Sequence, residues 1–198
     1  MKKPLLSLAV LFVLLAPVPG AYASPITYVT ALSGSAEAPP NASPGTGYAT
    51  VVFDIAAHTM QVNVSFAGLL GLVTASHIHC CTTTPFTGTV GVATPTPTFP
   101  GFPSGVTGGV YSHLFDMSLA SSYRAAFITA NGGTPAGAET ALAAGLAEGK
   151  AYLNIHTDRF PGGEIRGFPE PVPEPASMTL FGTGLAAVLG RALRKRRQ

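Results

Sequence analysis

Two histidines one residue apart, His77-Ile78-His79, are the side chains of this sequence best placed to do chemistry. On a β-strand, residues i and i+2 leave the same face, roughly 7 Å apart at the backbone, while the residue between them points the other way. A third histidine, His156, stands in Ala151–Thr157, where it shares a face with Asn154 and Tyr152 against Leu153 and Ile155. If the two strands are neighbours, three imidazoles converge on one polar patch. Three ring nitrogens at about 2 Å suit Zn or Cu and leave a coordination position for water or substrate. Such ligands are neutral, so metal occupancy is expected to fall below the ordinary His pKa of about 6.5. The competing reading keeps the same histidines as hydrogen-bonding side chains of the sheet.

Cys80-Cys81 follow the pair directly and are the only cysteines. In an oxidising compartment two cysteines usually pair. A bridge between neighbours is the first choice, although adjacent Cα atoms about 3.8 Å apart are closer than an ordinary disulfide prefers. Two thiolate metal ligands, or two free thiols, are the alternatives. His58 falls in a hairpin turn, and His113 sits on a strand with no evident partner. Asp158, Arg159, Glu164 and Arg166 surround a tight turn and read as ion pairs that fix a hairpin. No Gly-x-Ser-x-Gly elbow, phosphate-cradling glycine loop or pair of catalytic carboxylates is present, so no catalytic residue is assigned.

The elements that must position these side chains are mostly strands. Charge is sparse, and Gly, Pro, Thr, Val, Ala and Ser are frequent, a composition suited to a sheet-rich fold with many turns. Strands are expected at Ile26 to Leu32, Tyr48 to Ile55, Met60 to Phe66, Val73 to His79, Gly109 to Met117, Ala151 to Thr157 and Glu164 to Phe168. Ala49, Val51, Phe53 and Ile55 against Met60, Val62, Val64 and Phe66 give the clearest hairpin. Two helices interrupt the pattern. One is capped by Ser121 or Ser122 and runs from Tyr123 to Ala130. The other is capped by Thr134, with Pro135 at its first position, and runs to about Glu148. Cys80 to Thr107 has no period and five prolines, and reads as a large surface loop.

The two ends carry a different grammar. Lys2 and Lys3, the apolar run Leu5 to Ala16, helix-stopping Pro17, Pro19 and Gly20, and the small-x-small Ala21-Tyr22-Ala23 make a secretory signal cleaved before Ser24. At the far end, Val172-Pro173-Glu174-Pro175 precedes an uncharged stretch, Met178 to Gly190, and the basic cluster Arg191, Arg194, Lys195, Arg196 and Arg197. Extended from Ala176 to Leu193, the helix is about 27 Å long if Arg191 snorkels, and the basic cluster holds its end on the cytoplasmic side. Between the ends, four basic residues face nine acidic ones, a net charge of −5. That balance disfavours nucleic acid, which needs a basic face.

Residues Val172 to Gln198 resemble the PEP-CTERM sorting signal of bacteria. The resemblance implies recognition by an exosortase, which processes the tail in or near the membrane, and an association with exopolysaccharide and biofilm. Ala31-Leu32-Ser33-Gly34-Ser35-Ala36-Glu37-Ala38-Pro39-Pro40, Gly45 to Thr50, Ala75 to His79, Ala151 to Thr157 and Pro161 to Gly167 resemble the CHRD domain over Tyr28 to Phe168. That resemblance implies a secreted antiparallel β-sandwich and no established activity. The His-x-His strand is also similar to the copper-binding strand of copper–zinc superoxide dismutase. His77 and His79 match its pair and His156 could serve as the later histidine. The bridging histidine and the zinc-loop ligands have no counterpart.

The expected organisation is therefore a signal peptide (1–23), a CHRD-like antiparallel β-sandwich with a short two-helix insertion (24–170) and a sorting tail with a membrane helix (171–198). The leading functional expectation is an exported structural or binding module of the cell surface or extracellular matrix. It would be processed by signal peptidase and an exosortase-type enzyme, with exopolysaccharide as a partner. The alternative is a small secreted metal-binding protein or metalloenzyme with Cu or Zn at His77, His79 and His156.

Overall fold

The computed structural model of the protein describes residues 24–173. The expected signal peptide (1–23) and the expected membrane helix of the tail lie outside the described residues, as does the sorting motif from Glu174 onward, including Glu174 and Pro175.

Period-two alternation builds the first half. Strands β1 (Ile26–Ser33), β2 (Thr46–Asp54) and β3 (Thr59–Ala67) form an antiparallel meander. The β2–β3 register sets Ala49 against Val64, Val51 against Val62 and Phe53 against Met60, all buried on one face. Ile55, read with that face, lies just beyond β2 and is exposed. β5 (Gly109–Asp116) pairs with β3 and adds Tyr111 and Phe115 to the same core. The second half pairs β4 (Val73–His79) with β6 (Tyr152–Thr157), and β6 with β7 (Ile165–Gly167).

The strands form one continuous curled antiparallel sheet, in the order β4-β6-β7-β1-β2-β3-β5, where the sequence suggested two sandwich layers. The reason lies in β1. It pairs with β2 along its whole length, and on its other edge with β7 only at Ser33, opposite Arg166. The start of that edge is taken by β8 (Glu170–Pro171), paired at Tyr28 and Val29. Hydrogen bonding thus passes from one half of the sheet to the other through a single register point.

Helices α1 (Ala125–Ala130) and α2 (Pro135–Ala147) are the two expected ones. Thr134 caps α2, its hydroxyl accepting from the Gly137 N–H at 3.1 Å, and Pro135 follows. Ala138, Leu142 and Leu146 drive this helix into the core. α1 starts later than expected because Tyr123 and Arg124 are extended. Ser122 caps nothing and instead donates to the Asp116 carbonyl from a short 3-10 turn. Among the described residues no helix is long and apolar enough to cross a membrane.

Cys80 to Thr107 departs from its expected surface role. Phe99 is fully buried against Tyr111 and Phe115. The backbone of this segment caps the free edge of β4: Ala93 N–H reaches Ile78 O, Phe99 N–H reaches Ser76 O, and Gly105 N–H reaches Val73 O. Prolines lack the N–H a ladder needs, so the segment covers the edge with separate bonds instead of a strand, and its sequence shows no period.

Candidate metal centre

β4 and β6 are neighbours, with Ala75 opposite His156, His77 opposite Asn154 and His79 opposite Tyr152. Ser76 and Ile78 face inward, and the two histidines leave the other side of the strand. Their exposure is only 7% and 9%, because the 80–107 segment and the turn after β6 roof that side as well. One ring nitrogen of each of His77, His79 and His156 lies within 4.8 Å of the others. Ring centroids stand 5.4 Å apart for His77–His79 and 4.9 Å for His77–His156.

Each imidazole has its tautomer set by a backbone carbonyl. His77 Nε2 meets Pro97 O at 2.8 Å, His79 Nδ1 meets Val90 O at 2.7 Å, and His156 Nδ1 meets Pro161 O at 2.8 Å. A carbonyl only accepts, so each of these nitrogens carries the proton. The remaining nitrogen of each neutral ring bears a lone pair. His77 Nδ1, His79 Nε2 and His156 Nε2 are all buried without a hydrogen-bond partner. Three orphaned lone pairs on one cluster are costly in a folded protein unless something accepts them. A backbone-oriented imidazole with its other nitrogen free is the arrangement of a metal-ligating histidine. In a tetrahedral site with metal–nitrogen bonds near 2 Å, ligand nitrogens lie about 3.3 Å apart, so the cluster needs to contract modestly to close on an ion.

Burial is the main cause that pushes the His77 pKa down to about 4. His156 and His79 add to the shift, and the bond to the Pro97 carbonyl opposes it. Burial lowers His79 and His156 too, against the pull of their carbonyl bonds. The expectation that the lone pairs are lost below about pH 6.5 is therefore revised: desolvation keeps these rings neutral into more acidic solution.

Around the cluster lies a polar layer that sequence reading missed. His77, Asn154, Arg166 and Ser33 form one cross-strand row over β4, β6, β7 and β1. The Asn154 Oδ1 is buried without a partner. Tyr152 stacks on His79 at 4.6 Å and carries the Arg166 guanidinium 4.8 Å over its ring. Arg166 does not pair with its neighbours in the turn. It donates from Nε to Ala36 O and from Nη1 to Gly88 O, and stands 3.8 Å from Glu37. Glu37 is 6% exposed, and burial outweighs Arg166 in raising its carboxyl to about 7. Gly163, at φ +128°, leaves the space it needs, since a Cβ there would sit 2.4 Å from Glu37 Oε1. In the sequence Glu37 stands out only as part of the CHRD-like opening segment. Its long-range partner on β7 left no local signal.

The other titratable residues of that turn are structural. Glu164 is fully buried and accepts from Ser43, Thr157 and the Leu70 and Gly71 N–H groups, while Asp158 accepts from Leu72 N–H. None of the expected ion pairs within the turn forms. His58 bonds Glu139 of α2 at 2.8 Å, and His113 lies between Tyr111 and Phe115. Cys80 and Cys81 are bonded to each other, and Gly145 of α2 packs against both sulfurs. Cys80 belongs to the hydrophobic core, away from the polar face that carries His79.

A family model described as the CHRD domain matches residues 28–168. A second, described as the PEP-CTERM protein-sorting motif, matches residues 171–197. No curated protein matches the chain, and no solved structure matches it.

Proposed function

The chain belongs to the CHRD domain family and ends in a PEP-CTERM sorting motif, and on that premise we propose that it is a metal-holding module delivered to the cell surface or extracellular matrix. The motif marks an exported, membrane-transiting protein whose tail an exosortase-type enzyme processes. The observation that carries the metal reading is the set of three buried lone pairs at His77 Nδ1, His79 Nε2 and His156 Nε2, each aimed by a carbonyl bond on the opposite ring nitrogen. Three neutral nitrogen donors without a carboxylate suit Cu or Zn over Ca or Mg, which take oxygen ligands. A bound ion would act as a Lewis acid at a coordination position the protein does not fill. Asn154, buried beside the cluster with a free carbonyl oxygen, would accept a hydrogen bond from whatever occupies that position.

Metal analysis of the exported chain after exposure to Cu or Zn tests this. About one equivalent is expected in wild type, with most of it lost in both His77→Ala and His156→Ala. Wild-type protein that retains no stoichiometric ion would refute the reading. A matrix role without metal, supported by the sorting motif, would then stand alone. It predicts a loss of biofilm or aggregate cohesion on deletion, a phenotype that His77→Ala would not reproduce.

A further inference from the structure

The described chain leaves the sheet beside the point where it enters. β8 pairs with β1 at Tyr28 and Val29, and the Val172 N–H is bonded to Thr27 O at 2.8 Å, so the first residue of the sorting motif is pinned to the start of β1. Next to this exit an open groove of about 410 Å³ runs between the sheet end and α2. Tyr28 and Phe53 form its buried floor. Ile26 and Ile55, 46% and 50% exposed, and Ala143 and Ala147 of α2 form its walls, and no charged side chain lines it.

From Val172 to Ala176, where the apolar stretch of the tail begins, there are four residue steps, at most about 14 Å of extended chain. A tail that spans a bilayer with its basic cluster on the far side is committed to the membrane and is not free to fill the groove. The same short tether then holds this end of the domain at the membrane surface. We propose that, while the tail is attached, the groove is a lipid-docking surface that seats Ile26 and Ile55 in the outer leaflet. The lipid it fits is zwitterionic: no charged side chain lines the groove, and the α-amino group that signal cleavage leaves on Ser24 in its lining meets a headgroup phosphate. The side chains of the exported region sum to −5, which repels an anionic surface. Release of the tail removes the tether, and with it most of the affinity, because two isoleucines alone bury little apolar area. The inference rests on the membrane-tethered state and is independent of the metal reading.

The test uses the chain from Ser24 to Gln198 in phosphatidylcholine vesicles that carry a lipid-borne quencher. A fluorescent probe is placed in turn at Ile55→Cys, Val110→Cys and Leu185→Cys. Val110 is exposed on the far strand β5 and serves as control, and Leu185 lies in the tail. The expected result is strong quenching at 185 and several-fold stronger quenching at 55 than at 110. Ile26→Asp should weaken the signal at 55 while leaving 185 quenched. Quenching at 185 with equal signals at 55 and 110 overturns the proposal, and an unquenched 185 overturns the tether beneath it. A probe at 55 that is already shielded before vesicles are added overturns it in favour of the tail as occupant.

Discussion

Two buried groups on the polar side of the sheet should tilt the acid stability of the metal-free protein in opposite directions. His77 is lowered from an ordinary 6.5 to about 4 by burial, so from about pH 6.5 downward the unfolded chain takes up a proton that the folded chain refuses. That stabilisation is complete above the unfolded pKa and is lost as pH falls towards 4. At 1.36 kcal/mol per pKa unit the loss by pH 4.5 is about 3 kcal/mol. Glu37 is raised from 4.5 to about 7, again mainly by burial, so in the same window the folded chain takes up the proton first. Its stabilisation is complete below the unfolded pKa and lost as pH rises through 7, a gain of about 3 kcal/mol on acidification from pH 7 to 4.5. Urea unfolding with a chelator present, at several values between about pH 7 and pH 4.5, reads both terms. Relative to wild type, Glu37→Gln should steepen the loss of stability on acidification by about 3 kcal/mol, and His77→Gln should make it shallower by a similar amount. Parallel curves for wild type and Glu37→Gln would refute the claim that burial holds a proton on that carboxyl. A steeper curve for His77→Gln would refute the account of the histidine.

Glu164→Gln should destabilise the protein by about 3 kcal/mol in neutral-pH urea unfolding, since an amide cannot accept all four donors that converge on the carboxylate. Burial alone would raise the Glu164 pKa, but those hydrogen bonds outweigh it and hold it low, so its stabilisation should persist until pH falls below about 4.5. Gly145→Ala places a methyl group 2.2 and 2.5 Å from the sulfurs of Cys80 and Cys81, and thermal unfolding should show a loss of about 1–3 kcal/mol. Phe99→Ala should cost about 3–5 kcal/mol, as for a core aromatic. A change near zero in denaturant unfolding would mean that the 80–107 segment is dispensable cover.

The β2–β3 hairpin could be read directly from the sequence because each strand buries one face: Val51 alternates with Thr50 and Val52, and the register follows from the short turn between Asp54 and Thr59. The i, i+2 spacing placed His77 and His79 together on one side of a strand for the same reason. The adjacency of β4 and β6 was not legible, because it depends on a long-range pairing across both helices. Nor was the polar layer. The carbonyls of Val90, Pro97 and Pro161 are backbone groups whose positions carry no side-chain signal. Arg166 was read with its sequence neighbours, yet the chain curls so that its guanidinium meets Ala36 and Gly88. The sandwich expectation missed the single register point at Ser33, a contact too brief to leave a pattern.

The three histidines depend on bonds from segments scattered along the chain: Val90 and Pro97 in one loop, Pro161 in another, and a strand pair closed across the helical insertion. The stretch from His77 to Pro97 holds two of the histidines and both of their carbonyls, but His156 and Pro161 join them only when β4 and β6 pair. A chain exported before β4 and β6 pair would therefore arrive outside without the three-histidine site. On the proposed metal reading, the ion would be captured from the exterior, and the metal found in the protein should follow the medium and not the cytoplasm.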